Sequence, residues 1–177
     1  MGASIADFYS GRSPDHRGRF LREIQQWPDD RLESVHDFIQ WLFPLPEPSP
    51  VNPLAPTIDP ATIAAFSTQP ELRASLRGSF ERMLRFYGFQ MHAGPPVAVA
   101  RAPEFAARSQ HWLSPGNHNH LRITRILKCL TTLGLAEEAR AFFQTLSQLY
   151  REEAAQPRPG ITSVTFQFWQ AAVERSL

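Results

Sequence analysis

Seven prolines fall within seventeen residues between Pro44 and Pro60, at positions 44, 46, 48, 50, 53, 56 and 60. This run divides what the chain can fold into. Each proline fixes φ and lacks an amide hydrogen, so no regular helix survives such a density and a strand would lose much of its ladder. The segment reads as a stiff extended connector lying across the domain surface, with Val51, Leu54 and Ile58 as apolar anchors. A docking site for a partner that recognises polyproline is the sharper alternative.

On both sides of the run the apolar spacing is helical. Phe20, Leu21, Ile24 and Trp27 share one side of a segment over 19–27 that Pro28 stops. Asp30 then reads as an N-cap, with Glu33 three residues on completing a capping box, and a continuous helix is expected as far as Pro44. Asp59-Pro60 predicts a capped helix with proline at its first position, running to Phe66. Pro70 opens a longer helix that Gly88 closes, with Arg73 and Arg77 on a solvated flank. Further helices are expected over 104–113, 118–133, 136–150 and 161–173, with Asn117 and Gly134 bounding the second of these. The stretch 94–103 reads as a loop, because its one β-leaning scrap, Pro95 to Val99, is too short to build a sheet. The expected fold class is all-α. It is a single compact domain over 1–177, with about seven or eight helices, the proline-rich extended connector, and a loose tail over 1–7.

A chain of 177 residues can bury roughly 70% of its unfolded surface around one core. The formal net charge of +1 builds in no long-range attraction to nucleic acid or anionic membrane. Arg12, Arg17, Arg19 and Arg22 make only the N-terminal segment basic, so a nucleic-acid partner is not expected. Cys129 is the sole cysteine and falls in an apolar helical pattern, where it reads as a small buried hydrophobe. There is no secretory leader pattern and no apolar run near the ~20 residues a spanning helix needs. A soluble, cytoplasmic protein without membrane attachment is the expectation.

The chemistry-bearing residues concentrate in two segments. At 100° per residue, His36, Gln40, Glu33 and Asp37 form a polar strip beside the apolar face of the first, while Trp41 points away from it and must pack on another element or be exposed. His118, Arg122 and Arg125 edge the apolar face of the second. A structural reading has Glu33 capping its helix and Arg122 bridging to a carboxylate, a buried pair whose loss from one side costs roughly 3–5 kcal/mol. A functional reading has Glu33, His36, Gln40, His118, Arg122 and Arg125 as ligand-binding residues around a shared pocket. The arginines would hold an anionic small molecule or peptide, and a histidine could exchange a proton. An enzyme acting on a phosphate- or carboxylate-bearing substrate is the alternative, with His118 or His36 as acid/base and Arg122 as charge stabiliser. No phosphate loop, nucleotide-binding glycines or nucleophile constellation accompanies it, so no catalytic residue and no cofactor are assigned. Metal binding is disfavoured, since His118 and His120 diverge by about 200° on a helix.

The same strings carry a resemblance. Ile39-Gln40-Trp41-Leu42-Phe43-Pro44 and Leu121-Arg122-Ile123-Thr124-Arg125-Ile126-Leu127 resemble the conserved domain of the opioid growth factor receptor family. Phe8-Tyr9, Trp27, Glu47, Phe86-Tyr87-Gly88 and Leu133-Gly134 extend the likeness over nearly the whole chain. The resemblance implies a receptor-like domain, with the opioid peptide Met-enkephalin as the ligand described for vertebrate members. It implies no reaction. The arginine-rich, lysine-poor composition reads as that of a short bacterial member, for which an opioid ligand is not expected.

Overall fold

Proline and glycine set most helix boundaries in the computed structural model, which describes residues 4–174. Ten helices form among these residues: α1 (Ile5–Tyr9), α2 (Leu21–Gln25), α3 (Asp29–Ser34), α4 (Ile39–Leu42), α5 (Pro60–Thr68), α6 (Pro70–Tyr87), α7 (Phe105–Ser109), α8 (His118–Thr132), α9 (Ala136–Glu153) and α10 (Ser163–Glu174). The expected devices recur at their ends. Asp59 accepts from the Thr62 amide ahead of Pro60, and Gly88 ends α6 at φ 88°. An added Cβ at Gly88 would lie 2.7 Å from the Phe105 Cα, so chain direction and close approach both require glycine. Asn117 caps α8.

The all-α expectation holds, and two differences raise the count from eight expected segments to ten. The first is α1, which corrects the loose tail from Ser4 onward; residues 1–3 lie outside those described. Ser4 caps this helix, Phe8 packs edge-on to Trp41 at 5.2 Å, and the buried Tyr9 hydroxyl donates to the Leu42 carbonyl. The second is a break in the expected helix over 30–43. α3 ends at Val35, whose backbone is extended at φ −95°, ψ 132°, and α4 begins only at Ile39. Asp30 is not the cap: Pro28 occupies that place without a side-chain hydrogen bond. Val35, His36 and Asp37 are all weak helix formers. The Asp37 carboxylate is drawn to Arg19 at 2.8 Å and Arg17 at 3.2 Å, and so leaves the strip assigned to it.

A small sheet replaces part of the expected loop. β1 (Phe89–His92) pairs antiparallel with β2 (Ala98–Arg101), Phe89 opposite Arg101. Tertiary packing supplies what local propensity lacks: Phe89 sits between Phe105 and Phe142, and Thr145 of α9 donates to the Val99 carbonyl at 2.6 Å. Arg73 and Arg77 are not merely solvated. Arg73 donates to the Phe66 and Ser67 carbonyls, and Arg77 pairs with the buried Glu138 carboxylate at 2.6 Å.

The proline-rich connector has no helix or strand, but it folds back on itself. Leu45 bridges to Thr57, and the Ile58 amide donates to the Leu45 carbonyl at 3.2 Å. Ends held this close define a closed surface loop. Ile58 is the anchor expected of it, whereas Val51 and Leu54 are 82% and 74% exposed. α8 lies at the centre, with α9 and α10 packed on it. Its outward edge faces α3, α4 and the proline loop, which positions the candidate site.

Candidate functional site

Interrupting a helix strands backbone carbonyls, which must find donors elsewhere when buried. At the break between α3 and α4 the donor is Arg122. One of its terminal nitrogens (Nη1) donates to the Leu32 carbonyl at 2.9 Å, and the other (Nη2) to the Val35 carbonyl at 2.9 Å. The guanidinium also lies over the Phe38 ring, 5.3 Å from its centroid. Its fork therefore acts as a tertiary cap for α3, with the side chain only 5% exposed. Asn119 completes the joint: its oxygen accepts from Arg122 at 3.3 Å and its amide donates to Glu33 at 3.1 Å. Glu33 itself stands 3.9 Å from Arg122 and 3.3 Å from the His118 ring. The carboxylate is the outer partner of this arginine and the backbone is the inner one.

His36 and His118 meet beside the joint, edge to face, with ring centroids 5.4 Å apart. Arg122 Nη2 lies 3.3 Å from His36 Nδ1. A guanidinium can only donate, so that nitrogen is the acceptor of the contact. Burial holds the His118 pKa below its ordinary value, outweighing the pull of Glu33 in the other direction. The His118–Glu33 contact is therefore chiefly a hydrogen bond at neutral pH.

Next to the histidines a cavity of about 520 Å³ opens between α4, the proline loop and α8. Of the six candidate residues, His36, Gln40, His118, Arg122 and Arg125 line it, and Glu33 stands behind them at the joint. Leu45, Pro48, Pro50 and Val51 form the wall given by the proline loop. Leu121, 70% exposed, forms the lip on α8. The size and the mixture of apolar wall with a few polar groups are those of small-molecule sites.

The polar groups of this cavity are paired unevenly. Gln40 is only 4% exposed, and its Oε1 has no hydrogen-bond partner. Ser49 is buried as well, with its Oγ also unpartnered. Arg125 donates one N–H to the Phe43 carbonyl at 3.1 Å and makes no ion pair among the described residues. Lys128 at the rim is paired with Glu47 at 2.9 Å. Cys129 is on the core side of α8, where burial pushes its thiol pKa up and keeps it unreactive.

Several residues of the arrangement were not among the candidates. Ser49 was hidden by its proline neighbours, and Glu47 carries no local sign that Lys128 lies opposite. Asn119 was passed over in favour of the charged residues beside it. Of the two outcomes expected for Trp41, packing on another element holds: it is buried, its indole nitrogen donating to His16 Nδ1 at 2.9 Å. His118 and His120 separate: the first faces the cavity, while the second is buried with Nε2 on the Trp112 carbonyl at 3.0 Å. Among the described residues no group of three or more His, Cys, Asp or Glu side chains is placed to hold a metal ion. No helix of the described residues is long and apolar enough to cross a membrane.

Comparison with known proteins gives these features a family context. Residues 7–175 match the family described as "Opioid growth factor receptor (OGFr) conserved region". The opioid growth factor receptor of Rattus norvegicus is 46% identical over 121 residues, 67% of this chain and 20% of the relative. That of Homo sapiens is 37% identical over 161 residues, 88% of this chain and 23% of the relative. The opioid growth factor receptor-like protein 1 of Mus musculus is 37% identical over 131 residues, 72% of this chain and 28% of the relative. The chain thus spans only about a fifth to just over a quarter of the length of these relatives. No solved structure matches it. With nearly its whole length matched, through both the broken segment around Gln40 and the helix that caps it, the chain belongs to the opioid growth factor receptor conserved-region family.

Proposed function

We propose that this chain is a ligand-binding helical module, and that the cavity between α4, the proline loop and α8 receives the ligand. One observation carries the reading. Gln40 and Ser49 are buried in the cavity wall with polar atoms that meet no protein partner. Such groups cost roughly 1–3 kcal/mol each when left unsatisfied, and a partner that arrives from outside would satisfy them. The names of the rat and human relatives, receptors for a growth factor, agree with a binding role, and opioid peptide binding is the finer expectation they bring. The test is amide NMR of the protein titrated with a neutral apolar probe, 4-phenylbutanol. Shifts confined to Gln40, Leu45, Val51, Thr124 and their neighbours are expected. Saturation without shifts there, or shifts elsewhere only, would overturn the assignment.

A second reading is favoured by the 5.4 Å separation of the His36 and His118 rings, which lets both reach one substrate. In it the chain acts on a phosphate- or carboxylate-bearing substrate. Arg122 contributes little charge stabilisation there, because its terminal nitrogens are engaged by two carbonyls, Asn119 and His36. Turnover of a phosphoester or carboxylic ester that is lost in His118→Ala would establish this reading; identical background rates in both proteins would dismiss it.

A further inference from the structure

The charges around the cavity are compensated at every position but one. Arg122 is set against Glu33, and Lys128 against Glu47. His36 accepts from Arg122 through Nδ1, and burial keeps His118 from adding charge at neutral pH. Arg125 is the one partly buried cation here with no carboxylate in ion-pair contact among the described residues; Glu47, paired with Lys128, acts on it only at longer range, and only one of its N–H groups is engaged, by Phe43. Arginine is not neutralised by burial at any ordinary pH, so this charge persists and favours an anion beside it.

The remaining lining narrows the class. A single uncompensated cation matches one negative charge, whereas a phosphate dianion would bring two. The Ser49 hydroxyl, whose Oγ has no protein partner, is a donor in this wall, while the unpartnered Oε1 of Gln40 is an acceptor. Ile39, Leu45, Pro48, Pro50, Val51 and Leu121 supply an apolar surface around them, and it continues outward to the exposed Val51 and Leu121 side chains. An apolar body fits these walls, and it must carry its charge at one end.

We infer that the cavity takes a small apolar monocarboxylate, its carboxylate held by Arg125 with Ser49 donating to it, and its hydrocarbon body laid between the proline loop and Leu121. Planar bidentate contact suits a guanidinium to a carboxylate, and no covalent step is involved. This inference rests on the cavity being a binding site, as proposed above, and adds the chemistry of what fills it.

Calorimetry and NMR with three probes separate the two claims: 4-phenylbutyrate, its neutral analogue 4-phenylbutyramide, and inorganic phosphate. The expected result is at least a tenfold preference for the acid over the amide, with no saturable phosphate binding. Arg125→Met is expected to bring acid and amide to the same affinity. Equal affinities in the natural protein, or a preference that survives in Arg125→Met, would overturn the carboxylate assignment while leaving the cavity a binding site. Tighter binding of phosphate than of the acid would overturn it likewise. Binding of none of the probes would remove both claims. The acid–amide comparison uses the unaltered protein, so it stands even if Arg125→Met does not fold.

Discussion

Two clusters of polar side chains lie side by side on α8, and they are built on opposite terms. At the joint, the terminal nitrogens of Arg122 are engaged by the Leu32 and Val35 carbonyls, Asn119 and His36, and Asn119 reaches on to Glu33. One turn along the helix, Arg125 has a single backbone partner, and the Gln40 and Ser49 groups facing the same cavity leave atoms unmatched. Buried polar networks that serve the fold are satisfied within it, because each orphan is costly in a low-dielectric interior. The cavity departs from that rule where the joint obeys it. This contrast separates an arginine satisfied within the fold from one left largely unpaired beside the cavity, within one helix.

The comparison can be broken most forcefully at Arg122. Arg122→Met removes the donors to two buried carbonyls and leaves Asn119 and Glu33 without their cation. Urea unfolding should show a loss of about 3–5 kcal/mol, the range for breaking a buried charged contact from one side. An unchanged midpoint would mean that water caps α3 instead. Asn119→Ala should cost about 1–2 kcal/mol in the same measurement, since it removes one link while the arginine keeps its carbonyls.

The cavity should answer in the opposite direction. Gln40→Leu removes a buried amide with an unmatched oxygen and is expected to leave stability unchanged or raise it by about 1 kcal/mol while ligand affinity falls. A marked destabilisation would show that Gln40 belongs to the structural set. Lys128→Ala, which breaks a rim pair with Glu47, should shift stability by less than about 1 kcal/mol.

A pH titration sharpens the same division. Burial holds the pKa of His118 and of His120 below the ordinary value of 6.5. The unfolded chain therefore binds more protons than the folded one in the interval just below 6.5. Stability from these residues is complete above that pH and declines as pH falls through the interval. Unfolding midpoints at pH 7.5 and pH 5.5 should differ in that sense. His120→Asn should reduce the slope without altering ligand binding, because His120 faces Trp112 and Trp169 rather than the cavity.

Much of this was legible in the residues. The caps at Asp59 and Asn117 and the stop at Gly88 follow from chemistry confined to one or two turns, and they stand where expected. The six candidate residues do lie in one neighbourhood, although helical angles place them on two straight helices. Residue-by-residue angles hold only within an unbroken helix. The break at Val35 reassigned Asp37 to Arg17 and Arg19 and turned Arg122 from a carboxylate partner into a cap. The hairpin at Phe89 was illegible for a related reason, since its edge is supported by Thr145 of α9.

Alone, the sequence determined the helical class, most helix ends and the family, because these depend on steric rules and side-chain caps that act within about four residues. Tertiary structure decided where the α3–α4 segment breaks, how the proline loop closes, and which of the two cavity arginines is taken up by backbone carbonyls. The carbonyl of Val35 is satisfied by a donor 87 residues away. Local propensity there is weak, and it yields to a non-local hydrogen bond that only the folded chain can make.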